Sequence, residues 1–355
     1  MLQVLRSWVD RYFSDEEAVV LLILIGASLV FISLWGDIMA PVIASVILAY
    51  VLQGFIAYLV SKGMNNKAAI YSSYILFLGV VFGFIFSVMP LVWRQLSSLV
   101  GDAPNILNNL KSHIFTLQED YAHIITISEL DALVQQATGE VANFGQWLVS
   151  QSIEGVPVFI TAMIYLIVVP LLVFFFVKDR DSIVNSIVGI LPKNRRLMTQ
   201  VWEEMNLQFA NYVRGKFVEI AVVGGTTYIG FIFMGLNYGA LLAILVGLSV
   251  VIPYIGAILV TIPVALIALF QFGLHEEFYY VMLIFLVIQV IDGNVLVPLL
   301  FSEVVNLHPA VIIVSVLFFG GIWGVWGVFF AIPLATMIKA VVTAWPRRGG
   351  VETSI

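Results

Sequence analysis

Cysteine is absent from this 355-residue sequence. Disulfides, cysteine-ligated zinc and thiol nucleophiles are thereby excluded. Charge is scarce too: Asp, Glu, Lys and Arg make up 11% of the chain, against ~25% in ordinary soluble domains. A net charge of −6 offers little to a nucleic-acid backbone, so nucleic acid is not an expected partner. Catalytic signatures are missing as well. No nucleophile elbow, HExxH, P-loop or strand-borne GxGxxG occurs. The expectation is therefore a protein that is not an enzyme or a nucleotide-driven pump, with no cofactor and no metal site.

What fills the chain instead is apolar sequence, at 61% hydrophobic residues. Several runs exceed the ~18 residues that mark a transmembrane helix. The fold class expected is an all-α polytopic membrane protein with about eight membrane segments and an extramembrane helical insert. The first apolar run has no small-residue cleavage site and reads as a retained helix.

In chain order, residues 1–93 read as an N-terminal interfacial helix and three spans. Leu2, Leu5, Trp8, Val9 and Tyr12 share one helical face of that lead-in. Ser14 to Glu17 reads as a capping box opening the first span over 18–35. Gly36-Asp37 breaks it before a second span over 38–60, and a third covers 68–93. Residues 94–155 carry Arg94 and Lys111 against seven acidic side chains, and form an acidic insert of two amphipathic helices. Their 3-4 spacing suits pairing within one subunit or between subunits of a homo-oligomer. The fourth span covers 156–177. Residues 178–216 hold seven basic residues and read as a cytoplasmic amphipathic linker. Two helical pieces are expected there, 182–191 and 197–213, followed by a span from 217. Residues 342–355 form a tail. Positive-inside logic puts both termini and 178–216 in the cytoplasm of a bacterial inner membrane and 94–155 outside.

Residues 217–341 read as a transport unit. A span over 217–234 precedes the stretch 240–272, which is interrupted at Ile252-Pro253-Tyr254-Ile255-Gly256. As one helix that stretch would measure ~50 Å, too long for a ~30 Å hydrocarbon core. A span over 278–297 precedes a second over-long stretch, 309–339, interrupted by Gly320, Gly321, Gly324 and Gly327. Two span-plus-hairpin units of inverted topology follow, with re-entrant hairpins as the sixth and eighth membrane segments. Two tilted spans would give the same parity.

Within this unit Gln289, Asp292 and Asn294 interrupt an apolar span. Placing a carboxylate there costs at least ~2.5–3.5 kcal/mol on insertion scales. Gln289 and Asp292 share a helical face, and Gly293 loosens the backbone between Asp292 and Asn294. The three are candidate ligands of a polar solute, sodium or a proton; the plainer reading is a helix break whose polar groups satisfy one another. Pro253, Gly256, Gly320, Gly321, Gly324 and Gly327 are expected to build hairpin tips, where Trp323 and Trp326 could pack or gate. Arg214 reads as an anchor at the membrane surface, and Thr226, Thr227 and Thr261 as bonded back to their own helices.

A set of motifs sits on these elements: NYVRGKF at 211–217, IPYIGAILVTIP at 252–263, DGNVLVP at 292–298, LHP at 307–309 and GGIWGVWGVFFAIPLA at 320–335. In order and spacing they resemble the autoinducer-2 exporter (AI-2E) family, which takes in the PerM-like permeases. That resemblance implies an oligomeric inner-membrane transporter. Some members of the family are linked to export of autoinducer-2 and others to sodium/proton exchange. The leading expectation is a secondary transporter exporting a small polar solute by alternating access. The alternatives are a sodium/proton antiporter using Asp292 and, in another class, a membrane scaffold acting through its external helices.

Overall fold

The structure, a computed structural model, describes residues 15–118, 156–192, 195–301 and 307–345, together with 135, 136, 139 and 143. The expected N-terminal interfacial helix, the second helix of the acidic insert and the end of the tail lie almost wholly outside these residues. Helices account for the described elements: α1 (Glu16–Ser61), α2 (Asn66–Gly83), α3 (Met89–Gln118), α4 (Val156–Lys178), α5 (Arg180–Ile190), α6 (Arg196–Phe233), α7 (Gly239–Ser249), α8 (Ile255–Phe272), α9 (Glu276–Ile291), α10 (Val297–Phe301) and α11 (Pro309–Ala344). Single π-helical turns join α2 to α3 and α9 to α10. Among the described residues, eight helical segments are long and apolar enough to cross a membrane. The chain is a multi-pass helical membrane protein.

Helix starts and bends follow local chemistry. Asp15 caps α1, its Oδ1 accepting from Glu17 N at 2.9 Å and Ala18 N at 3.2 Å. The cap falls one residue later than the expected Ser14. Glu17 then reaches across to α6, where its carboxylate accepts from Met198 N at 2.8 Å. Tyr50, far along α1, donates to Asn206 of the same helix at 2.7 Å. Residues 198 and 206 lie ~12 Å apart along α6, whereas a straight α1 would hold 17 and 50 ~50 Å apart. So α1 bends back between its two span-length halves, Glu16–Gly36 and Ile38–Ser61. The expected break at Gly36-Asp37 is thus a reversal of helical chain and not a non-helical loop.

The linker differs from expectation. Instead of an amphipathic piece at 197–213 followed by a separate span, α6 runs unbroken through Arg214, Gly215 and Lys216. Gly215 does not interrupt it, and the space its side chain would fill is taken by a ring from further along the chain. A Cβ there would meet the Phe301 ring at 2.6 Å.

Two compact units emerge. The first comprises Met1–Tyr74, Val168–Lys216 and Phe301–Ile355; the second comprises Ile75–Ile167 and Phe217–Leu300. In the first unit, the α6 start packs on α1 through Leu21, Met198 and Val201. The second arm of α11 joins it through ring contacts: Tyr50 on Phe209, Phe209 on Phe330, Phe330 on Trp326. Tyr212 donates to the Phe329 carbonyl at 2.9 Å.

In the second unit, α7 and α8 form a helical hairpin. Gln271, near the end of α8, brackets the turn before α7: its Oε1 accepts from Asn237 N at 2.7 Å and its Nε2 donates to Gly235 O at 2.8 Å. Both ends of the hairpin therefore meet. At the tip, Tyr254 adopts φ +64 and a Cβ on Gly256 would collide with the Ser249 carbonyl. A straight helix would separate those two positions by ~10 Å. Gln271→Ala should lower thermal stability by about 1–2 kcal/mol through the two lost bonds; a melting curve in detergent matching wild type would refute the closure role.

The hairpin's base is braced by α3. Gln95 Oε1 accepts from Leu241 N at 2.8 Å, and Tyr238 donates to Asp102 Oδ2 at 2.7 Å. Burial first, then the Asp102 bond and charge, push the Tyr238 phenol above its ordinary range, so it remains a donor. On its other side α7 lies close against α6. A Cβ on Gly247 would sit 3.0 Å from Ile220 O and 3.1 Å from the Gly224 Cα, the close approach that small residues permit between membrane helices.

Candidate functional site

The two interrupted stretches both double back. Within α11, Gly324 takes φ +58 and ψ −134, non-helical values that glycine tolerates without strain. A Cβ on Gly327 would collide with the Phe319 carbonyl, and one on Gly320 would lie 2.8 Å from Val328 Cγ2. Residues eight apart on a straight helix are ~12 Å apart, so the chain reverses at Gly324. Gly256 and Gly327 play matching parts, each clearing a backbone carbonyl seven or eight residues before it. Gly321 has open space where its side chain would be. Trp323 stacks on Phe319 at 5.7 Å and donates from Nε1 to Ser33 Oγ at 2.6 Å, while Trp326 stacks on Phe330. Both tryptophans are thus held by packing in the first unit. Pro253 lies in the turn between α7 and α8.

Gln289, Asp292 and Asn294 do not stay together. Asp292 is 9% exposed and opens the π-helical turn Asp292–Leu296, a widening of the helix of the kind that recurs at functional sites. Gln289, one turn earlier, has its Nε2 shielded and without a hydrogen-bond partner among the described residues. Asn294 is exposed and donates back to Val290 O at 2.9 Å, which satisfies its amide within its own helix. Asp292, just past the end of α9, is buried and Gln289 is half-buried one turn before it; Asn294 is exposed and bonded within its own helix.

The opposing helix supplies polar groups that sequence reading passed over. Gly230 of α6 faces α9, since a Cβ there would meet Ile284 Cγ2 at 2.8 Å and Ile288 Cδ1 at 3.9 Å. The stripe of α6 continuing from Gly230 runs through Thr227, Val223, Ile220 and Glu219 at helical spacing. On α9 the matching stripe runs Val281, Phe285, Ile288, Asp292. Val223, Ile220, Phe285, Ile288 and Leu296 belong to one apolar cluster. Glu219, 2% exposed, and Asp292 therefore lie on the two faces that this cluster joins. A charged pair of positions three apart, Lys216 and Glu219, inside a span-length helix was the signal available in the sequence.

Thr227 corrects another expectation. Thr226 and Thr261 do bond back, to Val222 O and Ala257 O at 2.7 Å each. Thr227 does not: its Oγ1 is buried with no hydrogen-bond partner among the described residues. A buried unsatisfied hydroxyl costs about 1–3 kcal/mol. Thr227→Val should accordingly raise the melting temperature, and should lower transport if the hydroxyl serves a solute. Unchanged transport with higher stability would remove Thr227 from the site.

Among the described residues no three His, Cys, Asp or Glu side chains converge as a metal site. What the α6–α9 face offers is two carboxylates, an amide and a hydroxyl among apolar side chains, a set suited to a monovalent cation, a proton or a hydroxylated solute.

The chain is similar to known proteins along nearly its whole length. The family model described as "AI-2E family transporter" matches residues 19–347. The protein named "Putative permease PerM" of Escherichia coli (strain K12) is 46% identical over 346 residues, 98% of each chain. "Putative transport protein YueF" of Bacillus subtilis (strain 168) is 26% identical over 323 residues, 87% of this chain and 85% of the relative.

Proposed function

The chain belongs to the AI-2E family of transporters, and on that footing we propose that it is a secondary transporter exporting a small polar solute by alternating access. Asp292 is the observation that carries the reading. A carboxylate buried on a span-length helix, where the helix widens and a glutamine Nε2 one turn away has no hydrogen-bond partner among the described residues, is retained against an insertion cost of at least ~2.5–3.5 kcal/mol. Gln289 and Asp292, with Glu219 and Thr227 opposite, hold the solute or the coupling ion; Asn294 lies at the margin. A signalling molecule of the autoinducer-2 kind, small and hydroxylated, fits such a set of groups.

In this reading residues 217–341 carry the transport repeats. The hairpin α7–α8 re-enters the bilayer from outside and the reversal within α11 from the cytoplasm. Both termini and 178–216 lie in the cytoplasm of a bacterial inner membrane, 94–155 lies outside, and the protein works as a homo-oligomer. Glycine-lined contact between α6 and α7 lets the hairpin slide against its neighbour without repacking large side chains.

Two buried carboxylates on facing helices also suit sodium/proton exchange. Flux in sealed vesicles holding the purified protein decides between them, using a labelled hydroxylated solute inside and a pH-sensitive dye. Solute efflux above that of empty vesicles is expected. Sodium-driven proton movement with no solute flux would replace export by antiport, and absence of both would overturn transport through this site.

A further inference from the structure

The short helix α5 has an apolar face that no described residue buries. Ile183, Ile187 and Ile190 follow one another at 3-4 spacing with Val184 and Val188 beside them, while Asn185 and Ser186 lie on the other side. Ile187 is 58% exposed and Ile190 86%, and no residue of the helix is buried. The polar side is satisfied within the helix, where Ser186 donates to Ser182 O at 2.8 Å.

The position of α5 along the chain sets its depth. It follows α4 after the single residue Asp179, whose φ −105 and ψ 19 break the helical run. With 23 residues α4 measures ~35 Å, enough to cross a ~30 Å hydrocarbon core by itself. So α5 starts where the core ends, among the headgroups. Pro192 then stops it, and Arg195 donates from Nη1 to Val188 O at 3.0 Å, which ties the chain beyond to the last turn of α5.

Cations gather at the same depth. Tyr74 of α2 donates to Pro170 O at 3.2 Å, whereas Tyr71, about one turn earlier, meets the ring of Phe174, one turn later in α4, at 6.1 Å. The contacts run in opposite order, so α2 and α4 are antiparallel and the start of α2 lies level with the end of α4. Lys62 caps α1 and Lys67 opens α2, while Lys178 closes α4 and Arg180 opens α5. Asp179 and Asp181 meet Lys178 and Arg180 at 3.8 Å as exposed pairs, which hold little energy in water. The cations of these turns outnumber the carboxylates, next to an open apolar face.

We propose that α5 is an in-plane membrane helix that seats Ile187 and Ile190 among lipid acyl chains and gathers anionic phospholipid headgroups on Lys62, Lys67, Lys178 and Arg180. An apolar helix face takes the acyl chains, and the excess of positive charge beside it selects the anionic headgroup. The inference rests on the multi-pass fold and not on any role for Asp292.

The test uses the whole protein in nanodiscs of phosphatidylcholine and phosphatidylglycerol. The chain has no cysteine, so Ile187→Cys and Asn185→Cys each carry one environment-sensitive fluorophore, on the apolar and the polar side of α5. Lipid spin-labelled on its acyl chain should quench the label at 187 and spare the one at 185, while iodide in the buffer should do the reverse. Spin-labelled phosphatidylglycerol should quench the label at 187 more than spin-labelled phosphatidylcholine at equal content, by about fivefold, the attraction of a single basic residue near an anionic surface. Replacing Lys67, Lys178 and Arg180 together by Gln should remove that preference. Should Ile187→Cys fail to fold, Ile190→Cys takes its place. A label at 187 that iodide reaches as readily as one at 185 overturns the proposal, because the face is then in water. A label shielded from both iodide and lipid overturns it too, since protein then covers the face. Equal quenching by the two lipids, or a preference that survives the triple substitution, overturns the headgroup selection.

Discussion

Gly256→Ala and Gly327→Ala should each lose on the order of 3 kcal/mol or more of stability, among the largest effects a single methyl group can have here. The reason lies in what the new Cβ would strike. At Gly256 it collides with the Ser249 carbonyl, and at Gly327 with the Phe319 carbonyl. Both obstacles are backbone, so no rotamer change relieves the clash; the hairpin has to open. Gly320→Ala meets only the Val328 methyl and should be milder. Gly225→Ala and Gly321→Ala meet nothing within 4 Å and serve as controls. They should be neutral or slightly stabilising, by about 0.5–1 kcal/mol, as expected for glycine replaced inside a helix. The readouts are melting temperature and monodisperse yield in detergent. Wild-type stability in Gly256→Ala or Gly327→Ala would refute the tight reversals.

Asp292→Asn should lower transport roughly a hundredfold, equivalent to ~2.7 kcal/mol on the rate-limiting step, while the protein still inserts and assembles. Asparagine matches aspartate in shape and keeps one oxygen acceptor, so the π-helical turn has little cause to rearrange. What it removes is the charge, and neutralising a carboxylate inside an apolar span eases insertion. Stability should therefore stay level or rise as flux falls. Glu219→Gln makes the matching comparison on α6. A carrier role for the pair predicts that either substitution alone abolishes flux, whereas a solute-holding role predicts a raised apparent KM in one and a lost turnover in the other. Normal flux in Asp292→Asn would rule out an essential charge at this position. Flux and stability lost together would make Asp292 a structural residue of the helix break.

Much of the architecture was legible because it rests on local chemistry. Runs of apolar residues specify helices that cross a bilayer, since no other open backbone arrangement satisfies its own hydrogen bonds there. The interruptions at Pro253–Gly256 and Gly320–Gly327 announced reversals, because proline and glycine act on φ and ψ at their own positions. Positive φ then fell partly on unexpected residues. Gly324 carries it in α11, but in the first hairpin Tyr254 does, a non-glycine residue held in a strained conformation by the turn around it.

The site was legible only in part. Asp292 stood out as a carboxylate in apolar sequence, and Gln289 by its spacing. Glu219 was passed over, although it lies just inside the span expected from 217, because it follows directly on the charged stretch that ends at Lys216. In α6, which runs unbroken through Gly215, it is a buried residue, and its burial depends on which other helices cover that face. Asn294 looked like part of the same cluster and is not, since its amide is satisfied by Val290. Thr226 and Thr227 are adjacent and chemically alike, yet one bonds its own helix and the other is buried without a partner.

By itself, then, the sequence determined a helical multi-pass membrane protein, the places where its helices reverse, and through its motifs a family of transporters. Those properties follow from hydropathy, backbone preference and residue order, each of which acts along the chain. Tertiary structure alone decided that α6 passes unbroken through its charged segment, and which polar groups share a face. Burial of Glu219 and of Asp292 depends on which other helix covers a given face, and no local property of either residue carries that information.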